Sequence, residues 1–553
     1  MSITFIKGGK VYDPVNGING EIRDIWIKDG KIISPPVDPA ETPQKIIDAT
    51  GRIIMPGGVD MHCHIAGPKV NLARKMRPED KRHAPHVSRT SLTRSGTIGS
   101  VPSTFATGYL YAGLGYTTAF DAAVPPLSAR HAHEELQDTP IIDKGFFLLL
   151  GNNHYALQQI AANDPEKLRS FTSWLLESAK GYAIKLVNPG GVEVWKSGGA
   201  KICEIDEDIG HFKCTPRQII QGLSQTAMDI GLPHPVHIHC NNLGIPGNWR
   251  TTLSTMDALE GRRAHLTHIQ FHSYGGEPDD QGKFCSKVQE LSDFVNSHPE
   301  VTVDVGQVLF GETTSMTGDG PLGYYLHKVT GKKWTSADTE MEAGCGIVPM
   351  VYKEKSFVNA LQWAIGLEWY LLVKDPWQIA MSTDHPNGGS FLAYPEIIQL
   401  LMDRNYRREV LKRVHPRVLE RSCLKDLDRE YTLNEIAIIT RAGPARMLGL
   451  KNKGHLGVGA DGDITIYNES SNILAMFELP FMVIKYGKVV VEKSEIRLQV
   501  PGNTLHVSPS FDDGLVGDIR KWFESYYTIQ FENYPVTADY LSGGGTMIPC
   551  SKK

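Results

Sequence analysis

The sequence predicts an α/β protein, a (β/α)8 TIM-like barrel with a small β-sandwich built from the N- and C-terminal segments. Three observations predict it. Eight short apolar runs alternate with helix-like segments through the middle of the chain, and both ends instead show short strands joined by tight glycine turns. The length of 553 residues is ample for one barrel with appendages. An apolar fraction of 41% excludes a disordered or fibrous chain.

The front end reads as ITFIKGGKVYD, then DIWIKDGKI with Asp29-Gly30 as a hairpin turn, then IIDATGRIIMPGG, which together make a small antiparallel sheet. The barrel strands are expected at VDMHCH, YTTAFDA, GFFLLLG, YAIKLV, PVHIHC, HLTHIQ, VTVDVG and IAMSTD. Between the last two runs, Phe357 to Val373 is broken by Asn359, Gln362 and Glu368. It falls short of the roughly 20 apolar residues that span a bilayer and reads as a buried helix. Thr432 with Glu435 three residues later forms a capping box that opens a helix running toward Met447. The β texture then returns in HLGVGADGDITIYN and FMVIKYGKVVVEK. Residues 1–55 and 430–505 are therefore expected to form the sandwich and 56–429 the barrel, with 506–553 an extension that drapes over the surface or meets a partner.

With 57 Lys+Arg against 62 Asp+Glu, the net charge of −5 gives no global field for nucleic acid or an anionic membrane. The N-terminus, MSITFIKGGKVYD, lacks the apolar core of a secretory signal, so a cytoplasmic setting without a membrane span is expected. The eight Cys are scattered with no CxxC pair, which disfavours an iron–sulfur cluster, a zinc ribbon or a disulfide scaffold. Any electron chemistry would fall to another polypeptide.

His62 and His64, two apart on a strand, project to one face and can serve one metal, although such a pair also arises by chance. Lys185 is a charge inside the apolar run YAIKLV. Its ordinary reading is a side chain that snorkels to solvent; its sharper reading is a desolvated, neutral amine that captures CO2 as a carbamate bridging two cations. PVHIHCNN supplies His237 and His239 followed by Asn241 and Asn242, and HLTHIQFH supplies His265, His268 and His272. A strand presents its last inward residue to the barrel mouth, which favours His239 and His268 as ligands and leaves His237, His265 and His272 hydrogen-bonding or loop roles. Asp384 in MSTDHPNGG either caps a helix or completes the set.

Taken in chain order, these residues give the sequence its resemblance to the amidohydrolase superfamily, in the branch with a carbamylated lysine and two metals. GGKVYDP, DIWIKDGKI, IDATGRIIMPGGVDMHCH and GHLGVGADGDITIY carry it over nearly the whole chain. HCHIAGPKVN, RPED, IKLVNPGGVEVW, HIHCNNLGIPGNW, HLTHIQFHSYGG and STDHPNGGSF narrow it to the amidohydrolase-type subunits of formylmethanofuran dehydrogenases and of related bacterial formyltransferase/hydrolase complexes. The chain length and the LARKMRPED stretch favour the bacterial kind.

The resemblance implies hydrolysis of the N-formyl amide of formylmethanofuran or an analogue to formate and free amine, or the reverse condensation, in a complex with other subunits. It implies two divalent ions, zinc by default. His62, His64 and Asp384 would hold the more buried one and His239 and His268 the outer one, with carboxylated Lys185 between them and Asp384 as the proton carrier. Asn241 and Asn242 are expected at the substrate. Eight Lys/Arg against two acids between Lys69 and Arg94 make a basic stretch, in which Arg74 and Lys75 are expected to guide the carboxylate tail of the carrier. Two other readings stand beside this one: a cyclic-amide hydrolase of the dihydropyrimidinase or dihydroorotase type, which would use the same ligands, and a non-catalytic scaffold within a complex.

Overall fold

The computed structural model describes residues 3–38, 41–77, 99–197, 203–278, 280–336 and 346–551. Eight strands run in parallel, each beside its neighbour in sequence: β1 (Gly58–Cys63), β2 (Tyr116–Val124), β3 (Asp143–Leu149), β4 (Ala183–Val187), β5 (Val236–His239), β6 (Ala264–Leu266), β7 (Val301–Asp304) and β8 (Ile379–Ala380). The ring closes just past β8, where Cys63 bridges His385 and the His64 N–H donates to the His385 carbonyl at 2.7 Å. Every expected run overlaps one of these strands. Strands covered by helices outside and packed inside need apolar side chains on both faces, which is why they read as continuous apolar runs.

The two ends of the chain meet in one nine-stranded sheet, with strands from Ile3–Asp13 to Arg52–Pro56 joined to strands from Ile464–Asn468 to Glu495–Ile496. Ile6, Ile27 and Ile54 from the front share a core with Ile464 and Ile484 from the back. Asp29 and Gly30 both have positive φ, 49° and 83°, as a two-residue hairpin of this twist requires. A buried ionic cluster fastens the sheet to the barrel: Lys485 lies 2.6 Å from Asp143 at the start of β3 and 2.7 Å from Asp463, and Lys453 reaches Asp143, Asp461 and Asp463. These three carboxylates are close enough to share an ion, but Lys453 and Lys485, with Lys31 on Asp461 at 2.6 Å, already pair with them.

The Thr432–Glu435 capping box is present, with the helix opening at Leu433–Ala437. Phe357–Leu372 is the buried helix expected from its composition. The C-terminal extension drapes over the barrel: its strand Leu505–His506 pairs with Thr546–Met547, and Phe531 stacks on Trp174 at 5.3 Å. Among the described residues no helix is long and apolar enough to cross a membrane. Seven cysteines there are free thiols, and Cys345 lies outside the described residues.

Between β7 and β8 the chain inserts an antiparallel sheet, Gly311–Thr317, Thr335–Ser336 and Gly346–Tyr352, with the helix Gly320–Thr330. Ser315, Thr317, Leu322 and Tyr352 of this insertion line a cavity of about 70 Å³ together with His64, Lys185, His239, His268 and Asp384. The insertion therefore roofs the ends of the barrel strands.

Candidate metal centre

The strand register stacks the inward side chains in layers. Lys185 on β4 pairs with His237 on β5, which pairs with His265 on β6, which pairs with Thr302 on β7. Neighbours in register share a face, so the lysine and two imidazoles form one layer, and His239 stands two residues further toward the mouth.

At the mouth, Asp384 Oδ1 lies 3.0 Å from His62 Nε2 and 3.0 Å from His64 Nε2. Burial would raise the Asp384 carboxyl, but the two imidazoles outweigh it and hold it well below the ordinary carboxylate range. Burial pulls His62 down, yet Asp304 and Asp384 leave its pKa raised overall. His239 Nε2 faces Asp319 Oδ2 at 3.1 Å. His268 and Asp384 both take left-handed backbone conformations, φ 34° and 52°, each turning the chain as it leaves the barrel.

Lys185 is 1% exposed and its Nζ has no hydrogen-bond partner. Desolvation brings its pKa down to about 7 even though Asp304 and Asp384 oppose the shift. Under these conditions a large share of the amine is neutral near neutral pH.

The layer beneath is held by Asp304 at the end of β7. Its Oδ2 accepts from Thr267 Oγ1 at 2.6 Å and faces His62 Nδ1 at 3.1 Å and His265 Nε2 at 3.0 Å, while its Oδ1 accepts the His268 N–H at 3.0 Å. His237 is bonded on both nitrogens, to His234 at 3.0 Å and to His62 at 3.2 Å. His237 and His265 thus have hydrogen-bond partners on both ring nitrogens. Asp121 on β2 supports His64: it lies 3.5 Å from His64 Nδ1 and accepts the N–H groups of Ile65 and Ala66.

These residues fit divalent metal ions. His268 Nδ1, both nitrogens of His272 and Lys185 Nζ are buried and without a hydrogen-bond partner, while His62 Nε2 and Asp384 Oδ1 meet at 3.0 Å. Most buried polar atoms of a native interior are paired, and here four unpaired ones cluster. Three groupings here bring ligand atoms within 4.8 Å of one another, His62 with His64 and Asp384, His239 with His268 and His272, and His62 with His237 and Asp304. Imidazole nitrogens with carboxylate oxygens suit zinc, iron or manganese.

Four residues expected at the substrate, Asn241, Asn242, Arg74 and Lys75, do not line the cavity. Asn241 Nδ2 donates to Asn188 Oδ1 and the Pro189 carbonyl, both at 3.0 Å. Asn242 Nδ2 donates to Glu204 at 2.9 Å while its Oδ1 accepts the Cys203 N–H. Arg74 is paired with Glu135 at 3.2 Å and donates to the Pro102 carbonyl at 2.9 Å. These contacts tie the three side chains to neighbouring loops and helices, while Asn241 Oδ1 is left without a partner. Lys75 points to solvent from the helix Pro68–Met76. The rest of the basic stretch is likewise tied down where it is described, Lys69 beside Asp121 at 3.7 Å and Arg77 on Glu312 at 2.7 Å; Lys81, Arg82, Arg89 and Arg94 lie outside the described residues.

Three acids at the site, Asp304, Asp319 and Asp121, are missing from the set expected from the sequence. Asp304 carries the signal that singles out Lys185, a charge within an apolar strand run, as does Asp121 in YTTAFDA. Asp319 shows only a helix N-cap before Gly-Pro, and its place at His239 depends on how the insertion folds over the mouth.

A parallel eight-stranded barrel with histidines, a buried lysine and an aspartate converging at its C-terminal mouth defines a metal-dependent hydrolase. The chain belongs to the amidohydrolase family, which residues 45–491 match. It is 46% identical to Protein FwdA of Methanocaldococcus jannaschii, over 97% of each chain. It is 38% identical to a subunit of the formyltransferase/hydrolase complex Fhc of Methylorubrum extorquens, over 96% of this chain and 95% of the other. The crystal structure of the FhcABCD complex from Methylorubrum extorquens with methylofuran contains a chain that superposes with a TM-score of 0.93 at 36% identity, covering 99% of this chain and all of that one. The identity to the archaeal protein exceeds that to the bacterial one, so the expected preference for the bacterial setting gains no support.

Proposed function

We propose that this chain hydrolyses the N-formyl amide of a formylmethanofuran-type carrier to formate and free amine, or runs the reverse condensation, as the catalytic component of a hetero-oligomeric one-carbon-transfer complex. One observation carries the reading: His64, Lys185, His239, His268 and Asp384 line one cavity, with His62 3.0 Å behind Asp384, in a chain that matches members of such complexes from end to end. His62, His64 and Asp384 would hold one ion, His239 and His268 a second, and Lys185, carboxylated by CO2, would lie between them. Bound there, two divalent ions, zinc by default, would polarise the formyl oxygen and acidify water to near-neutral pKa.

The chain's own residues supply the rest. Asp384, kept ionised by His62 and His64, is poised to take a proton from the attacking water and to return it to the amide nitrogen. That return is essential because an amine leaves as a neutral molecule and an amide anion does not. Leu322, Phe271 and Met350 around the cavity exclude bulk water, which strengthens each of these interactions. Asp304 fixes His62 through its Nδ1 so that Nε2 faces the site.

The test is direct. Full-length chain loaded with zinc in bicarbonate should release formate from an N-formylated methanofuran analogue and leave hydantoin intact. Ring opening of hydantoin with no formate release would instead support a cyclic-amide hydrolase, and under about one metal per chain would support a scaffold.

A further inference from the structure

His272 stands apart from the other buried histidines of the barrel. It is 0% exposed, and neither of its ring nitrogens has a hydrogen-bond partner. His237 and His265, equally buried, have both nitrogens occupied, His265 by Thr302 at 2.9 Å and Asp304 at 3.0 Å. A neutral imidazole has one N–H and one lone pair, and a native interior pairs at least one of them.

The local fold explains where this ring sits. His268 leaves β6 in a left-handed conformation and opens a short 3-10 turn over Ile269–His272. Four residues on, the turn brings the His272 ring back to 5.3 Å from His268, with 27° between their planes, and to 5.3 Å from His239. The backbone is fixed there by Thr252 Oγ1, which donates to the His272 carbonyl at 2.8 Å. One ligand atom from each of His239, His268 and His272 lies within 4.8 Å of the other two. Asp319 Oδ2, 3.1 Å from His239 Nε2, adds negative charge beside the three rings.

We propose that His272 is a third imidazole ligand of the outer divalent cation, beside His239 and His268. The inference rests on the reading of His239 and His268 as that ion's ligands and extends it by one residue. It gives the outer position three imidazole nitrogens beside the carboxylated Lys185, and so a preference for zinc or cobalt over magnesium or calcium.

The experiment is metal titration of the full-length apo-chain in bicarbonate with Zn2+ and with Co2+, using a competing chromophoric chelator, for the wild type, His272→Gln and a His237→Gln control. The wild type should take two ions. His272→Gln should keep the first ion, weaken the second at least tenfold, and recover part of that affinity when imidazole is added to a His272→Gly chain; the control should weaken the second ion less than His272→Gln does. A second ion bound equally well by wild type and His272→Gln overturns the proposal, as does a wild type that takes only one. Should the variants fail to fold, the Co2+-loaded wild type decides: five paramagnetically shifted imidazole N–H resonances support it and four overturn it. Because these readouts are metal counts and spectra, a wild type that shows this metal behaviour but releases no formate would refute the proposed reaction alone.

Discussion

Gly306 faces His268 so closely that a β-carbon at Gly306 would stand 2.4 Å from the His268 β-carbon and 3.5 Å from that of Asp384. The residue also has a φ of +67°, a conformation that side-chain-bearing residues enter at a cost of roughly 1–2 kcal/mol. The turn after β7 is thus shaped to let His268 and Asp384 approach one another. Gly306→Ala should push His268 out of line, lowering thermal stability by about 1–2 kcal/mol and weakening the second metal ion in particular. Thermal denaturation with metal analysis checks this, and unchanged metal content would show that His268 tolerates displacement.

Asp304→Asn removes the charge that four groups share: Thr267, His62, His265 and the His268 N–H. Burial alone would push this carboxyl up, but the charge and hydrogen bonds of His62 and His265 hold it well below the ordinary range. Loss of such a buried partner is expected to cost about 3–5 kcal/mol. Metal affinity should fall roughly 10–100-fold, because the ligand imidazoles lose their orientation. Denaturant titration and metal competition measure the two effects separately.

Loading of the apo-chain should depend on pH through Lys185. Only the neutral amine attacks CO2, and with the pKa brought down to about 7 by burial, the neutral form falls as pH drops below that value and saturates above it. At constant dissolved CO2, the initial rate of reconstitution should be about tenfold lower at pH 6 than at pH 8. A flat profile over this range would mean that the amine is already neutral well below pH 6. A rise that continues to pH 10 would mean that it stays an ordinary lysine.

Arg74 should behave as a support. Its guanidinium is mostly buried against Glu135 and the Pro102 carbonyl, and desolvation lowers its pKa. Arg74→Ala is expected to lower stability by roughly 1–3 kcal/mol. KM for long-tailed and truncated carriers should shift alike, and a larger shift for the long-tailed carrier would restore a guiding role.

Much of this architecture is legible in the sequence because barrel strands are buried on both faces and so announce themselves as apolar runs. The same physics exposes Lys185, since a charge within such a run needs a reason. His272 is harder to read: strand alternation places side chains along β6, but the left-handed turn at His268 that swings His272 back toward the site depends on Gly306 and Asp304, both on β7 or just past it. The charge of the basic stretch is overcounted for a related reason. A local charge sum counts Arg74 but not Glu135, 61 residues away, which neutralises it.

Asp384 stands at the centre of the proposed chemistry as the proton carrier of an N-formyl amide hydrolase. The measurement that tests this role most directly is single-turnover formate release from an N-formylated methanofuran analogue by metal-loaded wild type and Asp384→Asn, with metal content and thermal unfolding recorded on the same samples. The expected result is a fall of at least a hundredfold in formate release, with the fold intact and at least one ion retained. Formate release at the wild-type rate by a folded, metal-loaded Asp384→Asn chain would contradict it.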